Sequence, residues 1–400
     1  MSDTIRVAMI MQSYYPRIGG AERQVAALAP LLREQGVDVQ VVTRRYPGMA
    51  RFERIYGVPV HRLPIPGPKP VASMTFTMTA LPLLRRLRPD VLHAHELFSP
   101  ATTAVAAKRL FGTPVVSTAH RSGALGDVQR LINKTFGRRR MATFREHVDA
   151  FVTISREIDA ELAEMGVPPH RRIAIPTGVD TQRFAPVSKD GRRHIRERFG
   201  LPADARIAIF AGRLAPEKRL DRLIEIWPAV RATCPDALLL VVGAGPEEPV
   251  LRRTAGQGVW FAGATEDVVA YLQASDVFVL PSDAEGLSLA MLEALSTGLA
   301  VVATAVGGAG DVIAHGANGL LIPPGQPDEL KATIVTLMRD SALRARLGDK
   351  GRARVVREFA LPVMADRLRA LYDSVITRQP MHIAPRANAP NQPLQREWGG

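Results

Sequence analysis

Two acids and two cations carry the first chemical signal in this chain. In PSDAEGLSLAMLEALSTG (281–298), Glu285 and Glu293 stand among small and apolar residues. The stretch reads as a strand end, a loop, and a helix that starts around Gly286 to Ser288 and is stopped by Gly298. Glu285 then precedes the helix and Glu293 lies inside it. Free amides of Gly286, Leu287 and Ser288 between the two acids suit an anion, while carboxylates accept hydrogen bonds from hydroxyls. A phosphate flanked by polyols, as in a nucleotide sugar, meets that description.

GRLAPEKRLD (212–221) adds Arg213 and Lys218, with a Pro-Glu turn and the start of a helix expected between them. Two cations beside a helix N-terminus would clamp a diphosphate; two solvated loop charges are the alternative. No Asp-x-Asp occurs in the chain. No protein-held metal is therefore expected, and Arg213 and Lys218 would supply the positive charge instead. In HAHE, His93 and His95 share one face of an extended strand and Glu96 points to the other. Lacking a third ligand, the pair reads as hydrogen-bonding histidines rather than a zinc site. His120, ending VVSTAH, is the histidine expected to contact substrate.

Glycines say less. GGAE (19–22), with Gly19 and Gly20, and VVGAGPEE (241–248) both lack the full dinucleotide spacing, which argues against a nicotinamide cofactor. Gly19 and Gly20 make either a tight turn or a close backbone approach to phosphate. Neither a P-loop nor a nucleophile elbow is present.

Nearly all these candidates fall at the ends of short apolar runs, which are the elements that must position them. The opening stretch reads as a strand (5–11), a glycine loop, a helix (21–35) and a strand (38–43). Similar runs recur at 89–96, 113–120 and 149–155, and a fresh series follows residue 204. Strands alternating with helices imply parallel sheets covered on both faces. The expectation is an α/β protein of two Rossmann-like domains, 1–180 and 205–360, joined by a polar linker at 181–204. Ligands of such sheets bind outside the carboxyl ends of the strands, so the site belongs in the cleft between domains. Residues 379–400 have no periodicity and read as a disordered tail.

Composition bounds the class. The 400 residues are 46% hydrophobic and 23% charged, as in a soluble enzyme of two domains, and a single cysteine, Cys234, excludes an intramolecular disulfide framework. No leader and no run of about 18 apolar residues is evident, so a cytoplasmic location is expected. The net charge of +13 is uneven: residues 1–178 hold 25 Lys and Arg against 14 Asp and Glu. Much of the excess lies in RRLRP (85–89) and FGRRRMATFR (136–145). These are either solvated helix faces or a surface that docks on an anionic membrane or a phosphorylated acceptor. Nucleic acid is not expected, because no recognised binding pattern accompanies the charge.

Taken in order, GGAE, DVLHAHE, TAH, GVDTQRF, GRLAPEKRLD, VVGAGPEE, FAG, the E-x7-E of 285–293 and GLLIPPGQPDEL form a dense set. Over about residues 5–375 the chain resembles the retaining nucleotide-sugar glycosyltransferases of the GT-B fold, family 4 (glycosyl transferases group 1). The resemblance implies that Glu293 binds ribose hydroxyls and that Glu285, with the backbone of Gly286 to Ser288, holds the transferred sugar. Arg213 and Lys218 would neutralise the leaving diphosphate, Gly19 and Gly20 would let the first domain close over it, and His120 would meet the sugar near the reacting carbon. The loop after Gly263 would hold the nucleobase, and helix 361–376 would cross back onto the first domain. The implied reaction moves a sugar from a UDP- or GDP-sugar to a hydroxyl of a glycan, lipid-linked or small-molecule acceptor, as in surface polysaccharide or glycolipid synthesis. With no enzymic nucleophile, the departing phosphate would deprotonate the acceptor. Three positions depart from the family pattern: Thr177 in place of Asn, Arg121 in place of Asp, and Asp311 one methylene shorter than Glu. A sugar-nucleotide epimerase of the same architecture, or a non-catalytic nucleotide-sugar or lipid-surface binder, are the alternatives.

Overall fold

The structure is a computed structural model describing residues 4–17 and 19–379. The expected tail, beyond residue 379, lies outside the described residues. Eight strands build the first sheet: β1 (Ile5–Ile10), β2 (Val37–Arg44), β3 (Phe52–Ile55), β4 (Val58–Leu63), β5 (Val91–His95), β6 (Val115–Ala119), β7 (Ala150–Thr153) and β8 (Arg172–Ala174). Their order is β3-β4-β2-β1-β5-β6-β7-β8. Six more make the second: β9 (Arg206–Ala211), β10 (Ala237–Val242), β11 (Val259–Gly263), β12 (Val277–Leu280), β13 (Ala300–Thr304) and β14 (Leu320–Ile322), ordered β11-β10-β9-β12-β13-β14. Every pairing is parallel except β3 with β4. That hairpin was not expected; its first strand, FERI, is an exposed edge whose alternating pattern is too short to stand out.

Strand composition follows from coverage. Along β1, Val7 and Met9 enter one apolar layer while Ala8 and Ile10 enter another, because successive side chains face opposite ways. Both faces are covered, so such strands are apolar throughout. Helix Leu361–Thr377 lies beside helix Gly20–Glu34 on the first domain, as the resemblance implied; Leu368 and Tyr372 share an apolar layer there with Val25 and Leu32.

The linker is shorter than expected. Within 181–204 the chain forms a helix, Lys189–Arg198, capped by Ser188 and packed on the second domain. Its Arg196 is buried, donates to the Ala274 and Ala205 carbonyls, and pairs with Asp276 at 2.9 Å. Where the chain crosses between domains, Val179 bonds to Phe359 and Leu361 in an isolated parallel bridge. The two crossings thus run side by side.

Among the parallel strands, each sheet reverses its order once. In the first the reversal falls between β1 and β5, in the second between β9 and β12. Ligands of open α/β sheets bind at such points, beyond the carboxyl ends of the strands.

Candidate active site

The loops after β9 and β12 straddle the second reversal and bring Lys218 to Glu285. Lys218 Nζ donates to Glu285 Oε1 at 2.6 Å, and Ser282 Oγ donates to the same oxygen at 2.7 Å. Glu285 is thereby fixed by two donors. Lys218 ends a 3-10 turn, Pro216–Lys218, and the α-helix starts only at Leu220. The helix expected between the two cations therefore begins after both, since Pro216 favours a tight turn and Arg219 adopts a left-handed conformation. Arg213 is exposed and its guanidinium makes no hydrogen bond or ion pair among the described residues.

Beyond Glu285 the chain turns into helix Leu289–Ser296, with Ser288 as its cap: Ser288 Oγ accepts from Met291 N at 3.3 Å. The N–H groups of Gly286, Leu287 and Ser288, which lie in sequence between the two acids, find no acceptor among the described residues. Glu293, 4% exposed, lies within the helix as expected. Burial pushes its carboxyl up to about 7, against the opposing pull of Arg23 and Arg183.

The first domain supplies the opposite wall. Arg23, just inside helix Gly20–Glu34 and three residues past Gly20, reaches across to Glu293 at 3.3 Å. Gly19 caps that helix. His120 follows β6; its N–H donates to the buried Asp127 at 2.7 Å, and its carbonyl lies 2.0 Å from where a Cβ on Gly286 would stand. Only glycine admits that approach. Ser122 Oγ donates to the Glu285 carbonyl at 2.8 Å, and Arg156 N donates to Asp311 Oδ2 at 2.7 Å. Asp311, the shortened acid, thus pairs with the start of helix Arg156–Glu164 across the cleft.

Behind His120 runs a histidine ladder. His95 Nδ1 meets His120 Nε2 at 3.1 Å, and His93 is held between Tyr372 and Thr118, 2.7 Å from each. His93 and His95 share a face, with ring centroids 4.4 Å apart. Burial and then neighbouring positive charge bring His93 down to about 3 and His120 to about 4, so the rings are neutral at physiological pH. Two neutral imidazoles sharing one hydrogen bond must split donor and acceptor between them, which fixes the orientation of His120. Glu96 does not continue the strand. Its φ of 73° turns the chain, and its carboxylate accepts from Gln12 Nε2 at 2.5 Å at the first sheet's reversal point.

The sequence-derived site residues Lys218, Glu285, Gly286, Leu287, Ser288 and His120 therefore meet in one place, with Glu293 two turns behind and Gly19 and Gly20 beside Arg23. Gly263 ends β11, the edge strand two places from β9, and its carbonyl accepts from Gly243 N at 2.8 Å; among the described residues it makes no hydrogen bond to this cluster. Gly243 has a packing role: a Cβ there would stand 1.9 Å from the Gly212 carbonyl, which keeps the loops after β9 and β10 backbone to backbone. Sequence reasoning missed Arg23, Ser122, Asp127 and Arg156. Arg23 carried a usable signal, a cation in the first turn after a glycine pair; the others act through contacts 7 to 163 positions away.

With this geometry in view, likeness to known proteins is informative. Residues 18–183 match the family model described as Glycosyltransferase Family 4 and residues 205–340 the one described as Glycosyl transferases group 1. A GDP-mannose-dependent alpha-mannosyltransferase of Mycobacterium tuberculosis is 32% identical over 95% of this chain and 99% of that one. The chain belongs to glycosyltransferase family 4. A GDP-mannose-dependent monoacylated alpha-(1-6)-phosphatidylinositol monomannoside mannosyltransferase of Corynebacterium glutamicum is 35% identical to this family 4 enzyme over 50% of this chain and 55% of its own. The sucrose-phosphate synthase structure from Thermosynechococcus elongatus superposes with a TM-score of 0.79 at 23% identity, covering 94% of this chain and 100% of that one. That likeness establishes the GT-B fold of the family 4 glycosyltransferase described here.

Proposed function

We propose that this family 4 glycosyltransferase transfers a mannosyl residue from GDP-mannose, with retention of configuration and without a metal ion, to a hydroxyl of a lipid-borne acceptor. The observation that carries the reading is the Lys218–Glu285–Ser282 constellation at the reversal point of the second sheet. An ammonium has three N–H donors and Lys218 uses one on Glu285, leaving two for a leaving diphosphate. Arg213 adds a second cation and the amides of Gly286 to Ser288 add neutral donors, so negative charge that develops on the departing phosphate is met by preorganised groups. Glu285, held on one oxygen, accepts a sugar hydroxyl on the other. Glu293 accepts from ribose once Arg23 gives way.

His120, oriented by His95 and neutral, offers the sugar a single hydrogen bond near the reacting carbon without adding charge that would oppose an oxocarbenium-like centre. The departing phosphate takes the acceptor proton, and the new bond forms on the face it leaves. The names of the relatives support mannose as the sugar, GDP as the carrier and, for one of them, a phosphatidylinositol-based acceptor.

Among the described residues no helix is long and apolar enough to cross a membrane. The reading places the enzyme on the inner face of the membrane through the first domain, where Phe136 is 66% exposed beside the exposed Arg138 and Arg139. A thermal-shift series against GDP, UDP, ADP and their sugars tests the donor, since a ligand at 100 times its Kd adds about 2.7 kcal/mol of stability. GDP and GDP-mannose should give the largest shifts, and a larger shift with UDP-glucose would overturn the choice of donor.

A further inference from the structure

A groove of about 720 Å³ opens between the β3–β4 hairpin and the later part of helix Lys69–Leu87. It lies on the first domain, three strands from β1, and none of the residues described above as facing the cleft borders it. Its cationic wall is made by Arg45, Arg51 and Arg86, His61 also lines it, and no carboxylate is among its lining residues. Several arginines elsewhere in the chain are paired with carboxylates, among them Arg6 with Asp90, Arg156 with Asp311, Arg192 and Arg196 with Asp276, and Arg219 and Arg222 with Asp283. The guanidinium groups of Arg45, Arg51 and Arg86 have no such partner among the described residues. Arg62, at the groove's border, is already taken by Glu53 and by the Tyr15 carbonyl.

Three unpaired guanidiniums around one concavity repel each other, and an anion with several acceptor oxygens relieves that repulsion while using their planar donor sets. The remaining wall is apolar. Phe52, 53% exposed, packs its ring against His61 at 5.0 Å, and Leu83 and Pro82 face it from the helix. Solvated surface arginines alone would not explain why an exposed aromatic ring and proline and leucine side chains share their concavity.

We propose that this groove is a second ligand site, taking a phosphate-bearing molecule whose remainder is apolar or ring-shaped. The phosphate lies against Arg45, Arg51 and Arg86, and the remainder covers Phe52 and Leu83. His61 reports on occupancy. Burial, and then the positive charge of Arg86, hold its ring below the ordinary value, so a bound phosphate next to Arg86 must raise it. The tie from Arg62 to the Tyr15 carbonyl, 2.5 Å long, connects the hairpin to the loop after β1 that leads into Gly19 and Gly20.

The test uses the full chain and three probes: inorganic phosphate, glycerol 3-phosphate, and dihexanoyl phosphatidic acid below its micellar concentration. Affinity is measured by calorimetry and the site by the His61 ring resonances. All three should shift His61 upward in pKa, and Arg51→Ala with Arg86→Ala should weaken binding at least ten-fold while the circular dichroism spectrum is unchanged. Arg86→Ala alone should weaken it several-fold. Tighter binding of the lipid than of glycerol 3-phosphate identifies a lipid headgroup as the natural source; equal affinity would mean that the apolar wall contributes nothing and would overturn the placement of the remainder over Phe52 and Leu83. A His61 resonance that none of the probes moves, or undiminished affinity in the double variant, overturns the proposal. Neither readout involves the sugar donor or turnover, so the result stands apart from the proposed reaction.

Discussion

The His120 carbonyl and Gly286 Cα are held so close across the cleft that a methyl group on Gly286 would stand 2.0 Å from the oxygen. The loop after β6 of one domain therefore packs directly on the loop after β12 of the other, and a side chain at 286 would not fit between them. Gly286→Ala should prop them apart. Overpacking of this kind costs about 1–3 kcal/mol, which corresponds to a loss of about 5- to 150-fold in kcat/KM if closure assembles the site. Far-UV circular dichroism should be unchanged while small-angle scattering reports a larger radius of gyration.

Lys218 and Glu285 share one hydrogen bond of 2.6 Å and should not behave as independent groups. Lys218→Ala and Glu285→Ala should each lower turnover by about 100-fold or more, the scale seen when a charge-stabilising group is removed. The double variant should fall well short of the product of the two losses. Steady-state kinetics on the three variants measures this, and full additivity would mean that the pair acts at separate steps.

Glu293 gives the site a pH dependence of definite sign. Its carboxyl is pushed up to about 7 from 4.5, so between those values the folded chain binds the proton more readily than the unfolded one. Stability from this group is therefore present at low pH and is lost as pH rises through that window. Glu96, pushed up to about 7 by burial and then by the charge of Asp127, adds in the same direction. The melting temperature should fall between pH 5 and 8, and Glu293→Gln should flatten part of that slope. On the proposed reading donor binding runs the other way: ribose hydroxyls would donate to the ionised acid, so the KM for donor should rise as pH drops below about 7.

The histidine ladder should be silent over the same range. With His120 lowered to about 4 and His93 to about 3, neither ring should titrate between pH 5.5 and 8 in proton-nitrogen correlation spectra. A His120 titration near 6.5 would mean that it enters the cleft charged.

Much of this site was legible in the sequence because its pieces are local. E-x7-E fixes one acid before a helix and one inside it whatever the rest of the chain does, and glycine pairs at strand ends mark where backbones approach. The two-domain parallel architecture was legible for the same reason: short apolar runs alternate with helical sequence. What the sequence did not disclose is long-range. Ser122 finds Glu285 over 163 positions and Arg156 finds Asp311 over 155, and no local spacing encodes either. The β3–β4 hairpin was missed because four alternating edge residues carry too little pattern. Glu96 departs from the face an extended strand predicts because its backbone is left-handed, and neighbouring residue types do not encode that turn. The helix at Lys189–Arg198 was hidden in a polar stretch, since only one of its side chains, Arg196, is buried.

The central claim is that the cluster around Lys218 and Glu285 drives departure of the nucleoside diphosphate from a sugar donor. It is tested most directly by release of GDP from GDP-mannose, with a phosphatidylinositol mannoside acceptor and excess EDTA, for the unaltered chain and for Glu285→Gln. The account predicts acceptor-dependent GDP release that EDTA leaves intact and that the substitution lowers by about 100-fold or more. Release that EDTA abolishes, or that Glu285→Gln leaves near its original rate, would contradict it.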